Sequence, residues 1–218
     1  ERELGMVSNP RYKPVRAAPE VPKVAFLSHL IDDTGVKLID PFLRAIGEEG
    51  RERFQKKFGA IAGPVLYHEQ LVRGTNGRQL HLHCYCVFVP SREFERSHRA
   101  GDGVALSYVL AMAERARRER MVMTGLGQYT SIVTRNGLLL RRSGLDLTTG
   151  NSLTAAFACQ GVRDTLHETG RELSACRVGV VGAAGNICSA VTQVLASEAR
   201  ELTLVFREGT EDSARARE

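Results

Sequence analysis

Apolar positions recur along this chain with two periods, and their alternation predicts an α/β protein. Lys23 to Ser28 (KVAFLS) reads as a strand. From Asp40 to Phe58, the apolar residues Phe42, Leu43, Ile46, Phe54 and Phe58 stand among charges, as on one or two amphipathic helices. Two β-rich runs, Val65 to Val72 and Gln79 to Val89, flank Thr75-Asn76-Gly77 and predict a hairpin, because Asn-Gly accepts the positive φ of a tight turn. Val104 to Arg118 has helical periodicity throughout. Ser152 to Glu168 predicts another helix, with Gly170 as its C-terminal stop and Asn151 or Ser152 as its cap. The last pattern is strand, helix, strand: Arg177 to Val181, Asn186 to Ser197 and Glu201 to Phe206. Residues 1–22 are rich in Pro and charge and read as an extended arm, and Glu208 to Glu218 is a polar tail.

The most informative segment runs from the first strand of this last pattern into its helix, Val178 to Val191 (VGVVGAAGNICSAV). Glycines at this point let backbone amides approach a pyrophosphate at a helix N-terminus, whose partial positive charge favours an anion. The same spacing also serves a purely structural βα turn. Where the dinucleotide fingerprint has its third glycine, this chain has Cys188, which is small enough to pack against the strand. A helix N-terminus lowers a thiol pKa, so a catalytic Cys188 stays open, with packing the favoured reading. Phe206-Arg207 ends the second strand, and an arginine there accommodates a 2′-phosphate. This favours NADPH, although Glu208 follows and Arg207 also fits as a solvated strand-end charge.

Composition changes the picture in three ways. With 218 residues and 43% hydrophobic content, the chain can bury a real core, in two domains. A net charge of +5 suits an acidic partner, but Trp is absent and aromatics are sparse, so stacking platforms for nucleic acid are not expected. The run Arg115-Ala116-Arg117-Arg118-Glu119-Arg120 reads as a solvated helix end. The five cysteines (84, 86, 159, 176 and 188) include no C-x-x-C pair, which implies reduced thiols and a cytoplasmic setting. In His81-Leu82-His83-Cys84-Tyr85-Cys86, strand alternation turns His81, His83 and Tyr85 to one face and both cysteines to the other. No second ligand cluster is apparent, so no metal is expected. No apolar run is long enough to span a bilayer, and no signal peptide is recognisable.

Two polar, glycine-containing loops precede the turn: Gly125-Leu126-Gly127-Gln128-Tyr129-Thr130-Ser131 and Thr148-Thr149-Gly150-Asn151-Ser152. In order and spacing, the runs GLGQYTSIVTRNGLLL (125–140), TTGNSLTAAFACQGV (148–162) and VGVVGAAGNICSAV (178–191) resemble the long-chain acyl-(acyl carrier protein) reductases. Phe26-Leu27-Ser28-His29-Leu30 looks like that family's opening strand. The resemblance covers roughly residues 23–207. Gln128 stands where the family has a second glycine, Asn186 where it has aspartate, and Cys188 where it has the third glycine of the turn.

The resemblance implies NADPH-dependent reduction of a fatty acyl thioester, on acyl carrier protein or CoA, to an aldehyde through a cysteine acyl-enzyme. That cysteine is expected downstream of the turn, outside this chain, so no catalytic residue is assigned here and the chain is expected to be part of a larger polypeptide, inactive alone. Gly182, Ala183, Ala184, Gly185, Asn186 and Ile187 would wrap the pyrophosphate, and Arg207 would meet the 2′-phosphate. Tyr129, Thr130, Ser131 and Asn151 would line a substrate cleft. The expected organisation is an arm (1–22), an acyl-handling mixed α+β domain (23–122), connecting loops and helix (123–170), and the truncated start of a doubly wound Rossmann-like parallel sheet (171–218). Two alternatives remain: a shikimate-dehydrogenase-like or glutamyl-tRNA-reductase-like dehydrogenase, and a non-enzymatic acyl-carrier-binding module.

Overall fold

Strand alternation, two alanine-rich or aromatic helix faces and one βαβ repeat account for most of the architecture. The structure is a computed structural model that describes residues 15, 17–32 and 45–209. Most of the expected arm, Phe42, Leu43 and the tail from residue 210 lie outside the described residues. The chain divides into two compact units, Glu1–Thr149 and Gly150–Glu218.

The first unit is built on a five-stranded sheet of order β2-β3-β1-β4-β5. Its strands are β1 (Lys23–Leu30), β2 (Val65–Arg73), β3 (Gln79–Pro90), β4 (Met123–Leu126) and β5 (Leu147–Thr148). The Asn76-Gly77 hairpin forms as expected: Gly77 has φ +78°, and the Gly74 amide donates to the Arg78 carbonyl at 2.8 Å. β2 runs antiparallel to β3, whereas β1 is parallel to both β3 and β4, and β4 to β5.

Alternation along β3 sends Tyr85 and Val87 to one face and Cys86 and Phe88 to the other. On the first face pack helix α2 (Ser91–Ala100) with Phe94, and helix α3 (Val104–Arg118) with Ala105, Val109, Met112, Ala113 and Ala116. The alanines let α3 lie close to the strands. Phe94 is fully buried, which stabilises by about 1.5–3 kcal/mol. On the second face, Phe54 and Phe58 of helix α1 (Glu48–Ala62) cover Leu30, Cys86 and Phe88. Phe58 meets Phe88 edge-on at 4.9 Å. Gly59 brings the two backbones together: a Cβ there would sit 2.7 Å from the Phe88 carbonyl oxygen.

A one-turn helix, α4 (Tyr129–Val133), belongs to the first unit, and the second contains helix α5 (Asn151–Glu168), strand β6 (Arg177–Val181), helix α6 (Asn186–Leu195) and strand β7 (Glu201–Val205). β6 and β7 pair in parallel from Arg177↔Glu201 to Val181↔Val205. Cys159, Leu173 and Leu195 form the core, and a forked contact of Arg163 with Glu198 closes its edge. Gly170 ends α5 with φ +65°, and its N-terminal cap is Gly150 at φ +71°, not Asn151 or Ser152. The fold class is therefore α/β, a mixed and mostly parallel sheet followed by the parallel β-α-β arrangement that opens a Rossmann-like fold.

Candidate functional site

The glycine turn joins β6 to α6. Gly182 has φ +78°, where an L side chain is strained, and a Cβ on Gly185 would lie 3.2 Å from the Gly182 carbonyl oxygen. The Val205 carbonyl, at the end of β7, accepts from both the Gly182 amide (2.8 Å) and the Ala183 amide (3.2 Å). Gly185 donates back to Gly182 at 2.8 Å. The first bond of α6 runs from the Ser189 amide to the Gly185 carbonyl. Gly182 and Ala183 therefore shape the turn with amides already engaged. Arg207 is exposed, two residues beyond the end of β7.

Cys188 is half-buried, and its Sγ lies 3.5 Å from the Val181 carbonyl oxygen, turned back toward the strand. All five thiols are free. Burial pushes the Cys84 thiol up, and the Cys86 thiol up to about 12.

In the first unit, Tyr129, Thr130 and Ser131 stand together on α4, directly after β4. Thr130 is fully buried, its hydroxyl donating to the Gly127 carbonyl at 2.5 Å, so it holds the loop. Ser131 donates to the Gln128 carbonyl at 3.1 Å. Asn151 opens α5 of the second unit.

The sequence reading gave His29 no role, yet it organises this loop. It stacks on Phe94 at 4.2 Å; its Nδ1 bonds the Leu30 carbonyl at 2.8 Å, and its Nε2 accepts the Tyr129 amide at 3.1 Å. These partners assign the proton to Nδ1. Burial lowers the His29 pKa, against a smaller opposing effect of the Leu30 bond, so the ring is held neutral. Gln128 sits at φ +55°, ψ −133°, and the Thr130 amide donates to the Gly127 carbonyl at 3.1 Å. This is the first central position of a type II′ turn, which explains a glycine there in the resembled family. The Gln128 Oε1 accepts the His29 amide at 3.2 Å. Gly125 and Gly127 make room for the ring of Phe26, which would lie 3.1 Å and 2.4 Å from their added Cβ atoms.

No protein-family model matches the chain. It is similar to a long-chain acyl-[acyl-carrier-protein] reductase from Synechococcus elongatus. The two are 29% identical over 148 residues, which cover 64% of this chain and 42% of that protein. The match agrees with the resemblance carried by the three motifs, and the chain spans less than half the length of this relative.

The basic run at the end of α3 differs from a uniformly solvated helix end. Arg117 and Arg118 pair with Glu114 on the surface. Arg115 and Glu119 instead turn inward: Glu119 accepts from Tyr85 Oη at 2.5 Å and Arg115 Nε at 3.0 Å, and the Arg115 guanidinium lies 5.1 Å from the Tyr85 ring centre. Burial would raise the Glu119 pKa, but the neighbouring His83 ring and the bonds from Tyr85 and Arg115 outweigh it and hold the carboxylate at about 2. His81, His83 and Tyr85 share one strand face, as alternation requires. Glu69, which the sequence reading did not single out, stands opposite them on β2. Hairpin register counted outward from Asn76-Gly77 is the signal that finds it. Among the described residues, no helix is long and apolar enough to cross a membrane.

Proposed function

We propose that the protein supplies the acyl-handling portion and the dinucleotide turn of an NADPH-dependent reductase that converts a fatty acyl thioester, on acyl carrier protein or CoA, to an aldehyde. The observation that carries this reading is the β6–α6–β7 unit. Its glycine turn is left-handed at Gly182 and closely packed at Gly185, and it opens a helix whose positive end suits a pyrophosphate. Similarity to an acyl-carrier-protein reductase supports the substrate class. In this reading Gly182, Ala183 and Gly185 set the shape of the cradle, and Ala184, Asn186 and Ile187 carry the donors toward the phosphates. Arg207 neutralises the 2′-phosphate. Tyr129 and Ser131 would meet the thioester, and Thr130 braces their loop from inside.

Hydride for the acyl carbon would come from NADPH held at this turn. The chain's own five thiols are poor acyl acceptors: Cys84, Cys86 and Cys159 are buried, Cys188 is aimed at the Val181 carbonyl and Cys176 at the Glu172 carbonyl. In this reading the acyl-accepting cysteine lies outside these 218 residues.

Calorimetric titration tests the cofactor assignment. Arg207→Ala should weaken NADPH by about 1.5–3 kcal/mol, the worth of charge-assisted bonds, and leave NADH nearly unchanged. Equal losses for the two cofactors would mean that Arg207 does not read the 2′-phosphate, and absence of NADPH binding by the native protein would favour a carrier-docking module instead.

A further inference from the structure

We propose that Glu69, His81 and His83 form a binding site for a divalent transition ion of the Zn²⁺ class at the β2–β3 edge of the first sheet. The inference stands apart from the dinucleotide reading and rests on different residues.

The site follows from strand geometry. His81 and His83 are two apart on β3 and so project from the same face. Glu69 is the register partner of His83 across the antiparallel ladder, the position at which side chains meet most directly. One carboxylate oxygen, Glu69 Oε1, lies 3.7 Å from His83 Nε2 and 3.9 Å from His81 Nε2. All three ligand atoms fall within 4.8 Å of one another.

These distances are too long for hydrogen bonds. His81 Nε2 and His83 Nε2 are both buried without a hydrogen-bond partner, on residues only 5% and 4% exposed. Leaving two buried ring nitrogens unsatisfied is costly. An ion between the three atoms satisfies both. With metal–ligand bonds of about 2.0–2.1 Å, tetrahedral ligand atoms stand about 3.3–3.4 Å apart, so Glu69 Oε1 closes on each imidazole nitrogen by a few tenths of an ångström, and the two imidazoles, already within 4.8 Å, draw together by at most about 1.5 Å.

The surroundings favour a ligand role for His83. Its other nitrogen, Nδ1, lies 3.4 Å from Tyr85 Oη and 3.7 Å from Glu119 Oε2. A carboxylate on that side places the proton on Nδ1 and turns the Nε2 lone pair toward Glu69, the arrangement commonly found behind metal-bound histidines. Arg115 and Tyr85 fix Glu119 in turn. Two imidazoles and one carboxylate suit Zn²⁺, with Co²⁺ and Ni²⁺ as substitutes, and leave a fourth position for water or another ligand. Cys84 and Cys86 point to the opposite face of β3 and are not donors here.

The test uses the full chain, stripped of metal by a chelator, with Zn²⁺ followed by calorimetry and Co²⁺ by visible absorption. We expect saturation at one ion per chain, and cobalt d–d bands without a thiolate charge-transfer band. Glu69→Gln and His81→Gln should each weaken binding at least about tenfold. Cys84→Ser combined with Cys86→Ser should leave it unchanged. Far-UV circular dichroism checks that each variant is folded, and the near-isosteric Glu69→Gln keeps the test open if His81→Gln is not. Native protein without saturable binding, unchanged binding in folded Glu69→Gln, or a thiolate band lost with the two cysteines would each overturn the site.

Discussion

Gln128 occupies a backbone conformation made for glycine, and two substitutions separate what this costs from what the side chain contributes. At φ +55°, ψ −133° a non-glycine residue carries strain of about 1–3 kcal/mol. The Gln128 Oε1 bond to the His29 amide offsets part of it, at about 0.5–1.5 kcal/mol. Gln128→Ala keeps the strain and loses the bond, so it should destabilise by about 0.5–1.5 kcal/mol. Gln128→Gly loses the same bond but relieves the strain, less about 0.5–1 kcal/mol for the greater freedom of glycine in the unfolded chain. The glycine variant should therefore exceed the alanine variant by about 1 kcal/mol and lie near the native protein. Urea unfolding followed by circular dichroism reads the difference, provided the three m-values agree. An alanine variant as stable as the glycine variant, or more so, would refute the strain argument.

Three further outcomes are expected. Gly127→Ala should destabilise by about 1–3 kcal/mol, because its Cβ meets the Phe26 ring and lies 3.1 Å from the Leu27 carbonyl, and adding Phe26→Ala should recover part of the loss; no recovery in the double variant would mean the ring is not the obstacle. Gly182→Val should abolish NADPH binding while leaving thermal unfolding of the rest of the protein intact, and calorimetry showing native affinity would sink the turn assignment. His29 is buried neutral with a lowered pKa, so the unfolded chain binds its proton more readily. Its contribution to stability is complete above the ordinary histidine value of 6.5 and is lost as pH falls from there through the folded value. His29→Gln should flatten the stability–pH curve in that window, and an unchanged slope would contradict the assignment.

The parts of the fold legible in the sequence are those with strong local signals. The hairpin around Asn76-Gly77, the helix Val104–Arg118 and the β6–turn–α6–β7 run all occur where periodicity puts them, within a residue or two. β4 and β5 were not legible as strands. They are four and two residues long, β4 includes Gly125, and their neighbours in the sheet are distant in sequence. At the candidate site, the glycines announce themselves because backbone chemistry demands them. His29, Glu69 and Glu119 do not, because their roles come from contacts across the sheet: His29 with Gln128 and Tyr129, Glu69 with His83, and Glu119 with Tyr85. Glu119 was also disguised by its arginine neighbours, which suggested a wet surface.

The carbonyl of Val205 has a mechanical meaning. It grips the glycine turn through two amides, and Arg207 follows only two residues later on the same strand end. In the proposed reading, the element that holds the pyrophosphate and the residue that tells NADPH from NADH hang from a single acceptor. The span between the two recognition points is then a property of the main chain, insensitive to which side chain stands at position 207. Cofactor preference becomes a setting that evolution or an engineer can change with one residue, without retuning the cradle that makes binding possible at all.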